Sequence, residues 1–458
     1  MPEDFGLVAM AMAVFAILEI AGRFGFDHAL IRDSSIVRER YDTAWTMTIC
    51  HGIVSALLLA ISANFVARFF GDPRLEDVIY IMALMAAIQG FENIGIILFR
   101  KEMNFRKDFD FFLAKKIITF GFTLIFAVVF RSYWALVGGM FVSRTVGVIL
   151  SYQMHSYRPR LSFKAAADLF GYSKWMLLNG VLQFVRGRGV DFIIGRFIGA
   201  NGVGVFRVAS EFATLPTTEL MFPILRATYP GYAQVAQDRG ALKNMFLTVQ
   251  GTVLMFTLPA GIGIVLVADP FVKLVLGPNW LGVIPLIQVL GITSAIRVFQ
   301  LSNSGIFNVL GIPYWNTGFH ILDILAVLPL FAWMLYSGFD LNAAVWAYFG
   351  SSTLVVPFAM FMISRQLGLT FRERVMSTWR PIVATGLMSA CVWFVRDMLL
   401  PAESAAEAAI HLGILVPTGF VGYVTATIAL WYVSGRPDGP ESRVLSIVSR
   451  KMGSLAVR

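Results

Sequence analysis

Apolar stretches of about 20 residues recur along almost the whole chain, each long enough to cross a hydrocarbon core of roughly 30 Å as a helix. They fall near 5–24, 44–67, 77–99, 111–130, 132–153, 173–197, 202–226, 243–268, 283–308, 316–337, 342–363, 379–400 and 409–433. None shows the strict alternation over about ten residues that marks a transmembrane β-strand. A segment in lipid must satisfy its own backbone hydrogen bonds, which a helix does locally. The pattern therefore predicts an all-α polytopic membrane protein of about thirteen transmembrane helices.

The polar connections then set orientation. Every second connection, counted from the one after the first span, is rich in Arg and Lys. Those connections and the tail hold 26 basic residues; the opposite set holds five, Arg68, Arg74, Arg131, Lys273 and Arg396. Basic loops stay on the cytoplasmic side. The C-terminus is thus expected in the cytoplasm, Met1 outside, and the protein in the inner (plasma) membrane. A first span entering from outside with nothing upstream is unusual. One further helix is therefore expected before Met1, giving fourteen in the intact protein.

Short matches recur at a nearly constant offset. Phe65-Val66, Gly71 and Leu75 align with Phe271-Val272, Gly277 and Leu281 at offset 206; Gly6-Leu7 aligns with Gly204-Val205, and Trp134-Ala135 with Asn342-Ala343, at offsets 198 and 208. Such a period covers six spans, an even number, so the copies cross the membrane in the same sense. The expectation is two parallel six-helix bundles, 1–160 and 161–375, around a central cavity. Residues 376–458 add two helices and a basic tail.

Composition narrows the function classes. Of 458 residues 57% are hydrophobic and 14% charged, with a net charge of +9. Soluble domains carry about 25% charged residues, so an ordinary soluble enzyme, a disordered chain and a disulfide scaffold are excluded. Cytoplasmic loops account for the basic surplus, and nucleic-acid binding is not expected. Cys50 and Cys391 both lie in apolar runs, and the five His show no HxxxH or HExxH spacing. No metal site and no cofactor are expected. P-loop, nucleophile-elbow and kinase motifs are absent, and the connections are too short for a catalytic domain.

The candidate chemistry lies in charges that lipid does not tolerate, since one at mid-span costs about 2.5–3.5 kcal/mol. The sixth span carries Arg186, Arg188, Asp191 and Arg196; the seventh carries Arg207, Glu211 and Glu219. Arg207, Glu211, Thr214 and Thr218 share one helical stripe. Arg188 and Asp191 are neighbours at i,i+3, and simple neutralisation within Arg188–Asp191 and Arg207–Glu211 is an equal alternative to a ligand role. Arg196 reads as a snorkelling end residue. The third span has Gln89, Glu92 and Asn93 on one face, and the ninth has Thr293, Arg297, Gln300 and Ser304. Each face suits either interhelical hydrogen bonding or a lumen lining. Arg144 and Asp323 stand alone at mid-span, and Glu19 with Arg23 reads as a solvated pair. An inward cluster dominated by Arg suits an anionic ligand, because guanidinium forks bind phosphate oxygens in pairs.

Several segments resemble the polysaccharide flippases, the polysaccharide-transporter branch of the multidrug/oligosaccharidyl-lipid/polysaccharide exporter superfamily. They are Pro2-Glu3-Asp4-Phe5-Gly6-Leu7, Tyr41-Asp42-Thr43-Ala44-Trp45, Glu92-Asn93-Ile94-Gly95, Phe99-Arg100-Lys101-Glu102-Met103-Asn104-Phe105-Arg106, Ser173-Lys174-Trp175 and Leu215-Pro216-Thr217-Thr218-Glu219-Leu220. The resemblance covers about 1–370, and in that family the Pro-Glu-Asp stretch follows a first helix. It implies 12–14 helices in two bundles around a cationic cavity. It also implies a polyprenyl-diphosphate-linked glycan as cargo, turned to the outer leaflet without enzymatic chemistry. The family supplies no invariant catalytic motif, so the site residues rest on charge. Arg144, Arg186, Arg188, Arg207 and Arg297, with Gln89, Asn93 and Gln300, are expected to hold substrate. Glu92, Asp191, Glu211, Glu219 and Asp323 are expected to balance charge or carry coupling protons. Membrane lipids and a polysaccharide polymerase or export machinery are the expected partners. The alternatives are a cation-coupled drug or small-metabolite exporter of the same fold, and a polytopic glycosyltransferase or polymerase.

Overall fold

The computed structural model describes residues 2–22, 38–101, 104–301, 303–312, 314–437 and 439–442. Arg23, Arg32 and the tail from Arg443, which enter the charge count, lie outside the described residues. The apolar stretches are built from helices. In chain order these are α1 (Pro2–Gly22), α2 (Arg38–Phe70), α3 (Arg74–Gly90), the short α4 (Ile96–Lys101), α5 (Phe105–Phe130), α6 (Trp134–Met154), α7 (Ala166–Phe197) and α8 (Ala200–Gln234). Then follow α9 (Arg239–Leu266), α10 (Ala268–Val275), a 3-10 turn (Pro278–Val283), α11 (Ile284–Leu301), α12 (Asn303–Val309), α13 (Tyr314–Tyr336), α14 (Leu341–Leu367), α15 (Phe371–Asp397) and α16 (Ala405–Val433). Eight helical stretches among the described residues are long and apolar enough to cross a membrane. The chain is an all-α, multi-pass membrane protein.

Polar residues at the helix ends place the boundaries. The Asn104 side chain accepts from the backbone N–H of Lys107, Asp238 from those of Gly240 and Ala241, and Asp340 from that of Ala343. Thr370 with Glu373, and Ser404 with Glu407, form reciprocal capping boxes at the starts of α15 and α16. Each cap satisfies donors that the first helical turn leaves without a partner. Gly71 and Gly277, which the sequence aligns, both lie in the left-handed region, with φ of 72° and 83°. There a glycine closes the helix without a Cβ penalty.

Packing divides the chain into two compact units, Met1–Gly204 and Val205–Arg458. In the first, α2 lies along α3, α5 along α6, and α1 against α7 and α3. Glycines allow the closest crossings. A Cβ on Gly52 would lie 2.8 Å from the Ala86 carbonyl oxygen, and one on Gly6 only 1.6 Å from that of Ala200. Such backbone approaches let helices associate in lipid, where the hydrophobic effect gives no net attraction. No residue is buried in the most apolar stretch of α5, and Phe120, Val128 and Val129 face outward. Away from its contact with α6, this stretch presents an apolar surface for lipid to solvate.

The predicted span 77–99 is broken. α3 stops at Gly90, the chain turns through Glu92–Gly95, and α4 starts at Ile96. The buried Asn93 holds this break. Its Oδ1 accepts from the Gly95 N–H at 2.9 Å, its Nδ2 donates to the Tyr157 carbonyl at 2.8 Å, and its N–H donates to the Ser151 hydroxyl at 2.9 Å. The connection from α6 to α7 is strapped along the start of α2. Asp42 accepts from the Tyr157 hydroxyl at 2.8 Å and the Arg160 N–H at 2.9 Å, and Thr46 accepts from the Ser162 N–H at 2.9 Å. These bonds give the Tyr-Asp-Thr-Ala-Trp segment its work. Burial and the Asp42 carboxylate push the Tyr157 phenol up.

In the second unit α9 packs on α11 and α15, α13 on α14, and α11 on α14. Tyr232, Phe246, Phe307, Phe319 and Ile363 share one core. The last helices belong to this unit: α15 and α16 pair with each other, α15 lies on α9, and α16 lies on α10.

Candidate functional site

The charged residues of the first unit form two groups. On α7, Arg188 pairs with the buried Asp191 at 3.5 Å, one helical turn away. Arg186 is half-buried and Arg196 exposed, the latter 6.0 Å from the centre of the Phe69 ring. The second group joins α1 and α6. Arg144 reaches Glu19 at 3.4 Å and lies 5.6 Å from the centre of the Phe15 ring. Arg144 is therefore no lone charge. Its partner is the carboxylate that the sequence alone would pair with Arg23, a residue outside the described set. Beside Glu19, His51 on α2 approaches the Leu18 carbonyl at 2.9 Å and the Ser55 hydroxyl at 3.0 Å. Arg144 also borders a cavity of about 150 Å³, walled by Met12 and Phe15 of α1, Met82 and Met85 of α3, and Met140 of α6.

The helix break corrects one expectation. Gln89, Glu92 and Asn93 do not form a continuous helical face, because the last two lie in the turn after α3. The amide of Asn93 is spent on backbone groups, and its burial removes it from any lumen lining. Gln89 and Glu92 are half-buried at the same turn.

In the second unit Arg297 of α11 grips Asp323 of α13, with Nη2 to Oδ2 at 2.5 Å. The side chains are 12% and 4% exposed, and the phenol of Tyr348 on α14 adjoins the guanidinium. Asp323, like Arg144, thus has the partner that the sequence does not reveal. Gln300 is half-buried one turn beyond Arg297, while Thr293 donates back to the Val289 carbonyl. On α8, Arg207 is half-buried, whereas Glu211 and Glu219 are exposed. Thr214 and Thr218 of the same stripe donate to the carbonyls of Ser210 and Thr214. Thr217, next in sequence, bridges to Ser294 of α11 at 2.6 Å.

Two arginines counted as loop charges are buried. Arg374 donates to the Met360 carbonyl and, at 2.6 Å, to the Ser364 hydroxyl; Arg380 pairs with Glu441 at 3.2 Å. Among the described residues no group of three His, Cys, Asp or Glu side chains is placed to hold a metal ion.

The first unit thus sets Arg144 against Glu19 and Arg188 against Asp191, and the second sets Arg297 against Asp323. Ionisable groups within membrane spans are costly, face protein or water rather than lipid, and mark candidate sites of binding or transport. A family model described as polysaccharide biosynthesis protein matches residues 1–285, more than half of the chain. The chain belongs to that family. Among its relatives, the teichuronic acid biosynthesis protein TuaB of Bacillus subtilis is 24% identical over 420 residues, 90% of this chain and 85% of the relative. The succinoglycan biosynthesis transport protein ExoT of Rhizobium meliloti is 22% identical over 433 residues, 93% of this chain and 84% of the relative. In fold the family member is similar to the lipid II flippase MurJ in an inward closed conformation, with a TM-score of 0.73, 11% identity and 94% of each chain covered. It is also similar to an inward-facing multidrug resistance transporter of the MATE family, in the MOP superfamily, with a TM-score of 0.64, 13% identity and 80% and 91% covered.

Proposed function

We propose that this chain flips a polyprenyl-diphosphate-linked oligosaccharide from the cytoplasmic to the outer leaflet, without enzymatic chemistry, by alternating access through a cationic cavity. The observation that carries the reading is the Arg297–Asp323 pair, a nearly buried guanidinium on an apolar helix. The relatives' names point to cell-surface polysaccharides, and that of ExoT to transport. Arg207, Arg297, Arg144 and Arg186 or Arg188 would hold the diphosphate and acidic sugars, exchanging a protein carboxylate for phosphate oxygens. Asp191, Asp323, Glu211 and Glu219 would take back the positive charge when the cargo leaves. Glu92 would balance charge at the turn after α3, and Gln89 and Gln300 would supply neutral contacts. An outward-moving anion gains about 2.3 kcal/mol per charge per 100 mV in an inside-negative cell, so the loaded step needs no coupling ion.

The same reading places the protein in the plasma membrane with its C-terminus in the cytoplasm, next to the polymerase or export machinery that consumes its product. A drug exporter of the same fold would present carboxylates to cationic cargo, whereas here Asp191 and Asp323 are each engaged by an arginine. The test is a leaflet-access assay on lipid-linked glycan in proteoliposomes. Arg297→Ala and Arg207→Ala are expected to slow flipping at least tenfold. Wild-type rates in both variants would overturn the site assignment.

A further inference from the structure

We propose that the methionine-walled cavity beside Arg144 is a subsite for an isoprenyl phosphate. In this subsite the first isoprene unit fills the void, and the phosphate displaces Glu19 from the guanidinium. The inference rests on the lipid-linked reading above and names where one part of that cargo is recognised.

Three observations converge within the first unit. The cavity, of about 150 Å³, is walled by four methionines and Phe15. Ser143 and Arg144 complete its wall, and the pocket is partly open; its apolar side has room for a hydrocarbon of about six carbons. One isoprene unit has five carbons, and its methyl branch fills a compact void better than a straight alkyl segment does. Methionine suits this duty, because its thioether is polarizable and its unbranched side chain adapts to irregular shapes.

Next, the cavity has one charged member. Arg144 sits on its wall, so the cavity presents an apolar surface and a guanidinium side by side, the pairing that a prenyl phosphate complements. Finally, the guanidinium is held for exchange. The Arg144–Glu19 separation is 3.4 Å, against about 2.7–2.9 Å for a charge-assisted hydrogen bond at full strength. Both side chains are partly exposed, at 24% and 19%, which leaves a path for a competing anion. A phosphate offers two oxygens to the guanidinium fork where Glu19 now gives a single long contact.

The experiment uses the full chain in lipid nanodiscs, with empty nanodiscs as the partition control. Radiolabelled farnesyl diphosphate is titrated alone and against farnesol, inorganic diphosphate and a saturated dodecyl phosphate. Saturable binding of farnesyl diphosphate is expected, with each of the other three at least tenfold weaker. Met140→Trp, which fills the void, is expected to weaken farnesyl diphosphate at least tenfold and to leave inorganic diphosphate unchanged. Glu19→Gln removes the competitor and is expected to tighten farnesyl diphosphate at least threefold. Misfolding cannot mimic that gain.

Equal binding of dodecyl phosphate would show a general lipid crevice and overturn the proposal. So would unchanged or weaker binding in Glu19→Gln. If glycan flipping proceeds while these signatures are missing, the subsite alone is wrong. If the signatures appear and no lipid-linked glycan is flipped, the proposed function is wrong and the subsite stands.

Discussion

Removing Asp323 tests whether the second unit stores its arginine at a cost. Burial decides the magnitude. The Lys164–Glu39 pair spans 3.2 Å with side chains 74% and 59% exposed, and such surface pairs contribute about 0–1 kcal/mol. Arg297 and Asp323 are drawn from water almost entirely. Deleting one partner of a buried pair leaves an uncompensated charge and costs about 3–5 kcal/mol, whereas replacing both with apolar side chains is often neutral or stabilising. Asp323→Ala should therefore lower the melting temperature by about 6–10 °C, taking about 2 °C per kcal/mol for a domain of this size. The double variant Arg297→Leu with Asp323→Leu should recover most of that loss. Melting is followed by tryptophan fluorescence in detergent, and flipping is measured in parallel in proteoliposomes. The double variant is expected to melt near the wild-type temperature and to flip at least tenfold more slowly. A single variant that melts like wild type would refute the burial argument. A double variant that flips like wild type would refute the role given to Arg297.

Three further outcomes are expected. Gly6→Ala should sharply reduce the folded yield, because its Cβ would overlap the Ala200 carbonyl; Gly121→Ala, with open space around it, should be neutral or stabilising by about 0.5–1 kcal/mol, as judged by size-exclusion profile and melting. Asn93→Ala should destabilise the first unit by about 1–3 kcal/mol by orphaning the Gly95 N–H and leaving the Tyr157 carbonyl with Arg158 as its remaining donor, read as a melting shift. Glu373 is held down to about 2, first by Lys243 at 2.6 Å and then by the Thr370 cap. Its folded-state value lies below the unfolded one, so its contribution is complete above about pH 4.5 and disappears as pH falls toward 2. Glu373→Gln should therefore flatten the pH dependence of melting in that window and leave the slope near pH 7 unchanged.

The helices were legible because lipid demands long apolar runs, and such runs survive in one dimension. The interruption at Glu92–Gly95 was not, since Asn at a cap and Asn on a lining face leave the same spacing in the sequence. Arg144 and Asp323 looked solitary because their partners come from other helices, 125 and 26 residues away. Periodicity reports only neighbours on one helix, which is why Arg188–Asp191 was visible and Arg297–Asp323 was not. Arg374 and Arg380 entered the loop count because charges ended the apolar window near 379, while α15 itself begins at Phe371. Glu19 was set aside as solvated for the same reason: a charge close to a span end gives no hint of the helix facing it.

The strap between α6 and α7 bears on how the protein can be handled. Connections between helices are the usual places to insert a fluorescent tag or nick a chain, and tolerance follows from how little of the local backbone is engaged. Here Tyr157, Arg160 and Ser162 are each tied to α2. A protease offered this surface should find few unfastened peptide bonds in the segment, and a tag placed there would unpick the start of α2. At Gly311 the backbone bonds of the described residues run to positions three to five residues back in the same segment, and this turn is the gentler point of entry.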